Sequence, residues 1–135
     1  MPHLVVLYTR HLDAELDIGA LCRALADSMC VCRDEAGQPV FPVGGVRVLA
    51  YPSTHHAVAD GSADFGFIYL NLRMGRGRGE AARRRAGEAL AAVVRDHLGP
   101  LVARRLLGVT LQIDEGAEVF DAKFGNLHDH FARKP

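Results

Sequence analysis

The feature that most restricts how this chain can fold is the order of its periodic segments: strand, helix, strand, and then strand, helix, strand again. The two halves are offset by roughly 60 residues, as a diverged internal duplication would be. The first half opens with a strand over residues 3–9, built on Leu4-Val5-Val6-Leu7-Tyr8. Asp17 then serves as the N-cap of a helix in which Ile18, Leu21, Cys22, Leu25 and Met29 recur on one face. A polar loop, Asp34 to Pro39, leads through Phe41-Pro42-Val43-Gly44-Gly45 into a second strand, Val46 to Tyr51, closed by Pro52. The second half starts with a strand from about Phe65 to Arg73, where Ile68, Leu70 and Leu72 alternate with Phe67, Tyr69, Asn71 and Arg73. A Gly-rich turn, Gly75 to Gly79, introduces a helix with Ala82, Ala86, Ala89, Leu90, Val93 and His97 on one stripe. Glu80 with Arg84, and Arg84 with Glu88, are spaced for ion pairs on its wetter side. Gly99-Pro100 is expected to interrupt that helix, with a helical turn through Leu106 and a fourth strand from Val109 to Ile113. The tail, Phe120 to Pro135, reads as loop with one short extended piece.

Right-handed crossovers in both halves predict an α+β, two-layer β-α-β duplication: a four-stranded mixed sheet with two helices on one face. The other face would carry Val5, Leu7, Leu49, Phe67 and Tyr69 uncovered. So many large apolar groups on an open sheet predict burial against other subunits, hence an oligomer. With 135 residues, 49% of them hydrophobic, residues 1–135 are expected to form a single domain with a core that needs no staples. Sixteen basic residues balance sixteen acidic ones, which argues against nucleic acid or an anionic membrane as partner. The absence of a spanning segment or a signal core points to the cytoplasm. There, Cys22, Cys30 and Cys32 are expected to be free thiols, since Cys30-x-Cys32 is neither a redox CxxC nor half of a zinc site.

Few residues could carry chemistry. A chain beginning Met1-Pro2-His3 normally loses its initiator, which leaves Pro2 with a secondary amine anchored by the strand behind it. In an apolar wall beside cations such an amine is held neutral near pH 7, where it can serve as a general base. Read alone, the dipeptide is also just a common start. Arg47 stands among Val46, Val48 and Leu49 and needs an anion or a route to water; a carboxylate ligand would satisfy its fork. Arg78, in the glycine-rich turn before a helix, has the same two readings, anion site or surface arginine. The cluster Arg73, Arg76, Arg78, Arg83, Arg84 and Arg85 reads first as a solvated helix start. His55-His56 and His128-x-His130 lack a third ligand at a recognised spacing, so no metal is expected. Acyl-serine chemistry is improbable with only Ser28, Ser53 and Ser62 and no nucleophile elbow.

Taken together, these residues resemble the tautomerase superfamily and, within it, the 5-carboxymethyl-2-hydroxymuconate isomerases. The resemblance runs in order through Met1-Pro2-His3, Phe41-Pro42-x-x-Gly45-Val46-Arg47, Ala59-Asp60-Gly61, Gly75-x-Gly77-Arg78, Arg85-Ala86-Gly87-Glu88, Arg105-Leu106-Leu107 and Asn126-x-His128. It implies a homotrimer with sheets packed inward and no cofactor. Pro2 would move the proton, and Arg47 and Arg78 would hold the carboxylates of a 2-hydroxymuconate from aromatic-ring cleavage. Two departures bear on the pocket rim: the segment from Cys30 to Val40 is longer than the family usually has, and Arg73 stands where a lysine is familiar. Other proline-dependent reactions on this fold, decarboxylation or hydration of a small unsaturated acid, stay open, as does a binding protein in which Pro2 is vestigial.

Overall fold

Alternation of buried and exposed side chains along the strands sets the architecture. The computed structural model describes residues 2–132. In order the elements are β1 (His3–Tyr8), α1 (Ile18–Val31), β2 (Arg47–Pro52), β3 (Gly66–Met74), α2 (Glu80–Val102), β4 (Leu107–Glu115) and α3 (Leu127–Ala132), with short 3-10 turns at Arg10–Ala14 and Val43–Gly45. The sheet order is β2-β1-β3-β4. Strands β1 and β2 run parallel across α1, β3 and β4 run parallel across α2, and the antiparallel β1–β3 pair joins the halves. The duplicated strand-helix-strand pattern is therefore the fold.

Leu4, Val6 and Tyr8 of β1 and Ile68, Leu70, Leu72 and Met74 of β3 are buried on the helix side. They meet Ile18, Leu21, Leu25 and Met29 of α1 and Ala86, Leu90, Val94, Leu98 and Leu101 of α2. Each fully buried leucine contributes about 1.5–3 kcal/mol through removal of apolar area from water. Asp17 caps α1 as expected, its Oδ1 accepting from the Ala20 amide at 2.9 Å. The opposite face stays open: Leu7 is 45% exposed and Leu49 47%, while Val5, Phe67 and Tyr69 are half-buried.

Several expectations need correction. Helix α2 does not stop at Gly99-Pro100 but carries Pro100 inside it to Val102. The proline falls in the last turn, where it removes a single hydrogen bond, and the buried Leu98 and Leu101 on either side hold the helix down. The expected helical turn through Leu106 is reduced to a turn at residues 103–104, where the Arg104 amide donates to the Leu101 carbonyl at 3.1 Å, and β4 starts at Leu107 because it pairs with all of β3. The buried stripe of α2 passes through Val94 and Leu98 and leaves His97 exposed, since steps of four residues, not the stripe read from the sequence, follow the sheet. Neither Glu80–Arg84 nor Arg84–Glu88 pairs; Arg83 instead reaches across to Glu115 on β4 at 2.6 Å. Finally, the tail forms helix α3 in place of an extended piece. Leu127 and Phe131, one helical turn apart, lie in a groove with Cys22, Ala26, Val46 and Val48.

Candidate active site

Strand register gathers the site. His3 pairs with Arg47 on one side and with Arg73 on the other, so the three side chains form one row on the open face of β2-β1-β3. This row is one wall of a cavity of about 630 Å³, and the other wall is the tail, with Glu118, Asp121, Lys123 and His128 among its residues. Cationic groups outnumber anionic ones there. The Lys123 ammonium bonds Asp121, and that bond holds the Asp121 carboxyl below the usual carboxylate range. Arg73 faces Glu118 at 3.8 Å. Arg47 is half-buried, and its Nη1 donates to the Gly45 carbonyl at 2.8 Å and more weakly to that of Gly44 at 3.4 Å. Among the described residues it has no carboxylate partner. An arginine aimed by carbonyls and left without a counter-ion is suited to an anionic ligand.

Pro2 sits buried immediately before β1, against the turn Val43–Gly45. A Cβ placed on Gly45 would lie 3.4 Å from Pro2 Cδ and 3.6 Å from His128 Cε1, so the proline ring and the imidazole converge on that glycine. Pro2 itself is not among the residues lining the cavity; its neighbours across Gly45 and along β1, His128 and His3, are. Gly44 is needed for this approach: a Cβ there would stand 3.0 Å from His128 Nδ1 and 3.1 Å from the His128 backbone N. A Cβ in that position would push α3 back from the turn by a few tenths of an ångström. Met1, on whose removal a free amine depends, lies outside the described residues.

Arg78 is placed differently from Arg47. It is not among the residues lining this cavity. Its Nε donates to the Val40 carbonyl at 2.7 Å, its Nη1 to that of Gly75 at 3.2 Å, and its guanidinium lies over the Phe41 ring at 5.2 Å. Several neighbours in the arginine cluster also hold main chain and are not simply solvated: Arg76 bonds the Gly116 carbonyl, Arg83 that of Arg78, and Arg85 that of Arg33. The cluster fastens the loops around the sheet end that carries the site. His3, Lys123, His128 and Glu118 were missed as site residues. Strand parity with Arg47 and Arg73 was the available signal for His3; for the tail residues only the Asn126-x-His128 match was visible.

Other chemistry is sparse. Among the described residues no group of three or more His, Cys, Asp or Glu side chains is arranged to hold a metal ion. Cys22 and Cys30 are half-buried and Cys32 buried, all as free thiols, and burial pushes the Cys22 and Cys32 thiols up. A larger groove, about 810 Å³, runs between α2 and the edge strand β4; it is remote from Pro2, and its walls include Ala91, Val94, Leu98 and Leu111. No helix among the described residues is long and apolar enough to cross a membrane.

Residues 2–131 match the family described as 5-carboxymethyl-2-hydroxymuconate isomerase. A 5-carboxymethyl-2-hydroxymuconate Delta-isomerase of Escherichia coli is 28% identical over 131 residues, 97% of this chain and 99% of that protein. Among solved structures, a 5-carboxymethyl-2-hydroxymuconate delta-isomerase superposes with a TM-score of 0.94 at 58% identity, covering 100% of this chain and 95% of that one. A 5-carboxymethyl-2-hydroxymuconate isomerase from Deinococcus radiodurans R1 gives 0.85 at 36% identity, covering 98% and 95%. At lower identity the same fold recurs, as in a fused 4-OT symmetric trimer, 15% identical with a TM-score of 0.56 over 90% of this chain and 93% of that one.

Proposed function

The chain belongs to the 5-carboxymethyl-2-hydroxymuconate isomerase family, and from that membership we propose a cofactor-free proton transfer in which Pro2 is the base and acid. The neutral amine takes the proton of the 2-hydroxyl group. The electron pair left on oxygen spreads along the conjugated diene towards the distal carboxylate, and the ammonium of Pro2 returns the proton to carbon, giving the 2-oxo acid. No atom is gained or lost, so neither oxidant nor metal is called for. Arg47 holds one carboxylate through the edge of its fork that faces the cavity, and Arg78 is assigned the carboxylate role its position in the family pattern implies. Cations fixed where negative charge accumulates stabilise the transition state more than the ground state. The protein is proposed to work in the cytoplasm as a homotrimer whose open sheet faces pack inward, which would cover Leu7 and Leu49.

The observation that supports this reading is that Pro2 and His128 converge on Gly45, and that His128 lines one cavity together with His3, Arg47 and Arg73. Turnover of 5-carboxymethyl-2-hydroxymuconate by wild type and Pro2→Ala, followed by ultraviolet absorbance, tests it. The expected result is a fall in kcat of about 1000-fold with little change in KM, within the range for loss of a general base. Equal kcat in the two proteins rejects the role of Pro2.

A further inference from the structure

We propose that Arg73 forms a further carboxylate subsite, beyond those assigned to Arg47 and Arg78 and opposite Arg47 across His3, and that Glu118 is the carboxylate a substrate displaces from it. The proposal rests on and deepens the reading of the site as one for an unsaturated polycarboxylate, for which a simple dienedioate serves as the probe. Arg47 and Arg73 flank the same residue of the central strand on the same face. Two strand spacings separate their backbones by roughly 10 Å, and both side chains reach inward from there, a span suited to a six-carbon dienedioate lying across the row. A monocarboxylate could engage only one of them.

Arg73 is poised for exchange. It donates no hydrogen bond among the described residues; its contact with Glu118, at 3.8 Å, is longer than a hydrogen bond. With the two side chains 51% and 41% exposed, water screens the pair and it stabilises the fold little. The other carboxylates near it are already committed. Asp114, its register partner on β4, accepts from Asn71 Nδ2 at 2.8 Å, and Asp121 accepts from Lys123. A ligand carboxylate that meets the planar fork of Arg73 in bidentate fashion therefore exchanges a weak contact for a strong one. Arg78 differs, because its Nε and Nη1 are spent on the Val40 and Gly75 carbonyls.

Calorimetric titration with trans,trans-hexa-2,4-dienedioate and with hexa-2,4-dienoate, the same carbon chain with one carboxylate fewer, tests the subsite. Wild type is expected to bind the diacid at least about tenfold more tightly, the effect of one charge-assisted contact. Arg73→Met should remove that preference and leave the affinity for the monoacid within about twofold, which also reports that the variant is folded. Glu118→Gln should tighten the diacid alone, by about threefold. A preference retained in Arg73→Met, or missing from wild type, overturns the subsite; an unchanged Glu118→Gln overturns the displacement. Because these are binding measurements, they separate from turnover. A wild type that prefers the diacid yet isomerises nothing rejects the isomerase reading and leaves the subsite standing.

Discussion

The two ends of the central strands differ in how their strand-borne and loop-borne arginines are held. Where β1 finishes, charges are paired with one another. Arg105, 13% exposed, lies 3.1 Å from both Glu15 and Asp64; Arg104 adds a contact to Glu15 at 3.3 Å; and the Tyr8 hydroxyl donates to Asp13 at 2.7 Å. Where β1 begins, Arg47 has only carbonyls and Arg73 only a long contact to Glu118. Charge satisfied inside the protein ties loops to the sheet and stays put. Charge left without a close counter-ion, on a rigid row and beside a cavity, is open to a ligand, the role proposed above for Arg47 and Arg73.

Exchanging roles between the ends should fail, which gives the sharpest test of the contrast. Arg47→Ala should lower kcat/KM for the isomerisation by about 100-fold and cost no more than about 1 kcal/mol of urea stability, since its main contact is made to substrate and within the protein it loses only bonds to the Gly45 and Gly44 carbonyls. Arg105→Ala should do the reverse: about 2 kcal/mol of stability lost as Glu15 and Asp64 are left without their shared partner, and kcat/KM within twofold of wild type. Two variants with the same profile would erase the distinction. The smallest expected effect is at Tyr8, whose hydroxyl is pushed up to about 12 from its ordinary 10.0 by burial and then by the bond to Asp13. The folded state thus keeps a proton that the unfolded state gives up, so this contribution is complete below pH 10 and is lost as pH rises towards 12. In Tyr8→Phe the alkaline decline in urea stability should be shallower than in wild type, with about 1 kcal/mol lost at neutral pH. An identical decline in both proteins would assign it to other groups.

What could be read from the sequence was whatever depends on local period. The alternation in β3 and the Asp17 cap follow from rules that act within a few residues, and they gave the layers and the open face correctly. Pro100 was misread because its penalty depends on where in the helix it falls, and the sheet-side packing of Leu98 and Leu101 decides that. Helix α3 was missed because its two apolar contacts, Leu127 and Phe131, are made to a groove of α1 and β2 far away in the chain. The site was legible in part. Pro2 and Arg47 could be singled out by residue type and neighbours, but the row through His3 to Arg73 exists only once register is known. Arg78 looked like Arg47 in the sequence; that its Nε and Nη1 are occupied by carbonyls follows from the path of residues 40 and 75. His128 reaches the site through the absence of a side chain at Gly44, a signal that no property of the histidine itself conveys.

The contrast between the two ends matters for function only if the amine of Pro2 is free at the ligand-holding end. Intact mass of the active protein together with the pH dependence of kcat/KM tests this most directly. The account predicts a mass lacking Met1 and an acid limb along which activity falls as the amine takes up a proton, below the value of about 8 for an ordinary α-amino group. Full turnover by protein that retains Met1, or a profile flat through that range, would contradict it.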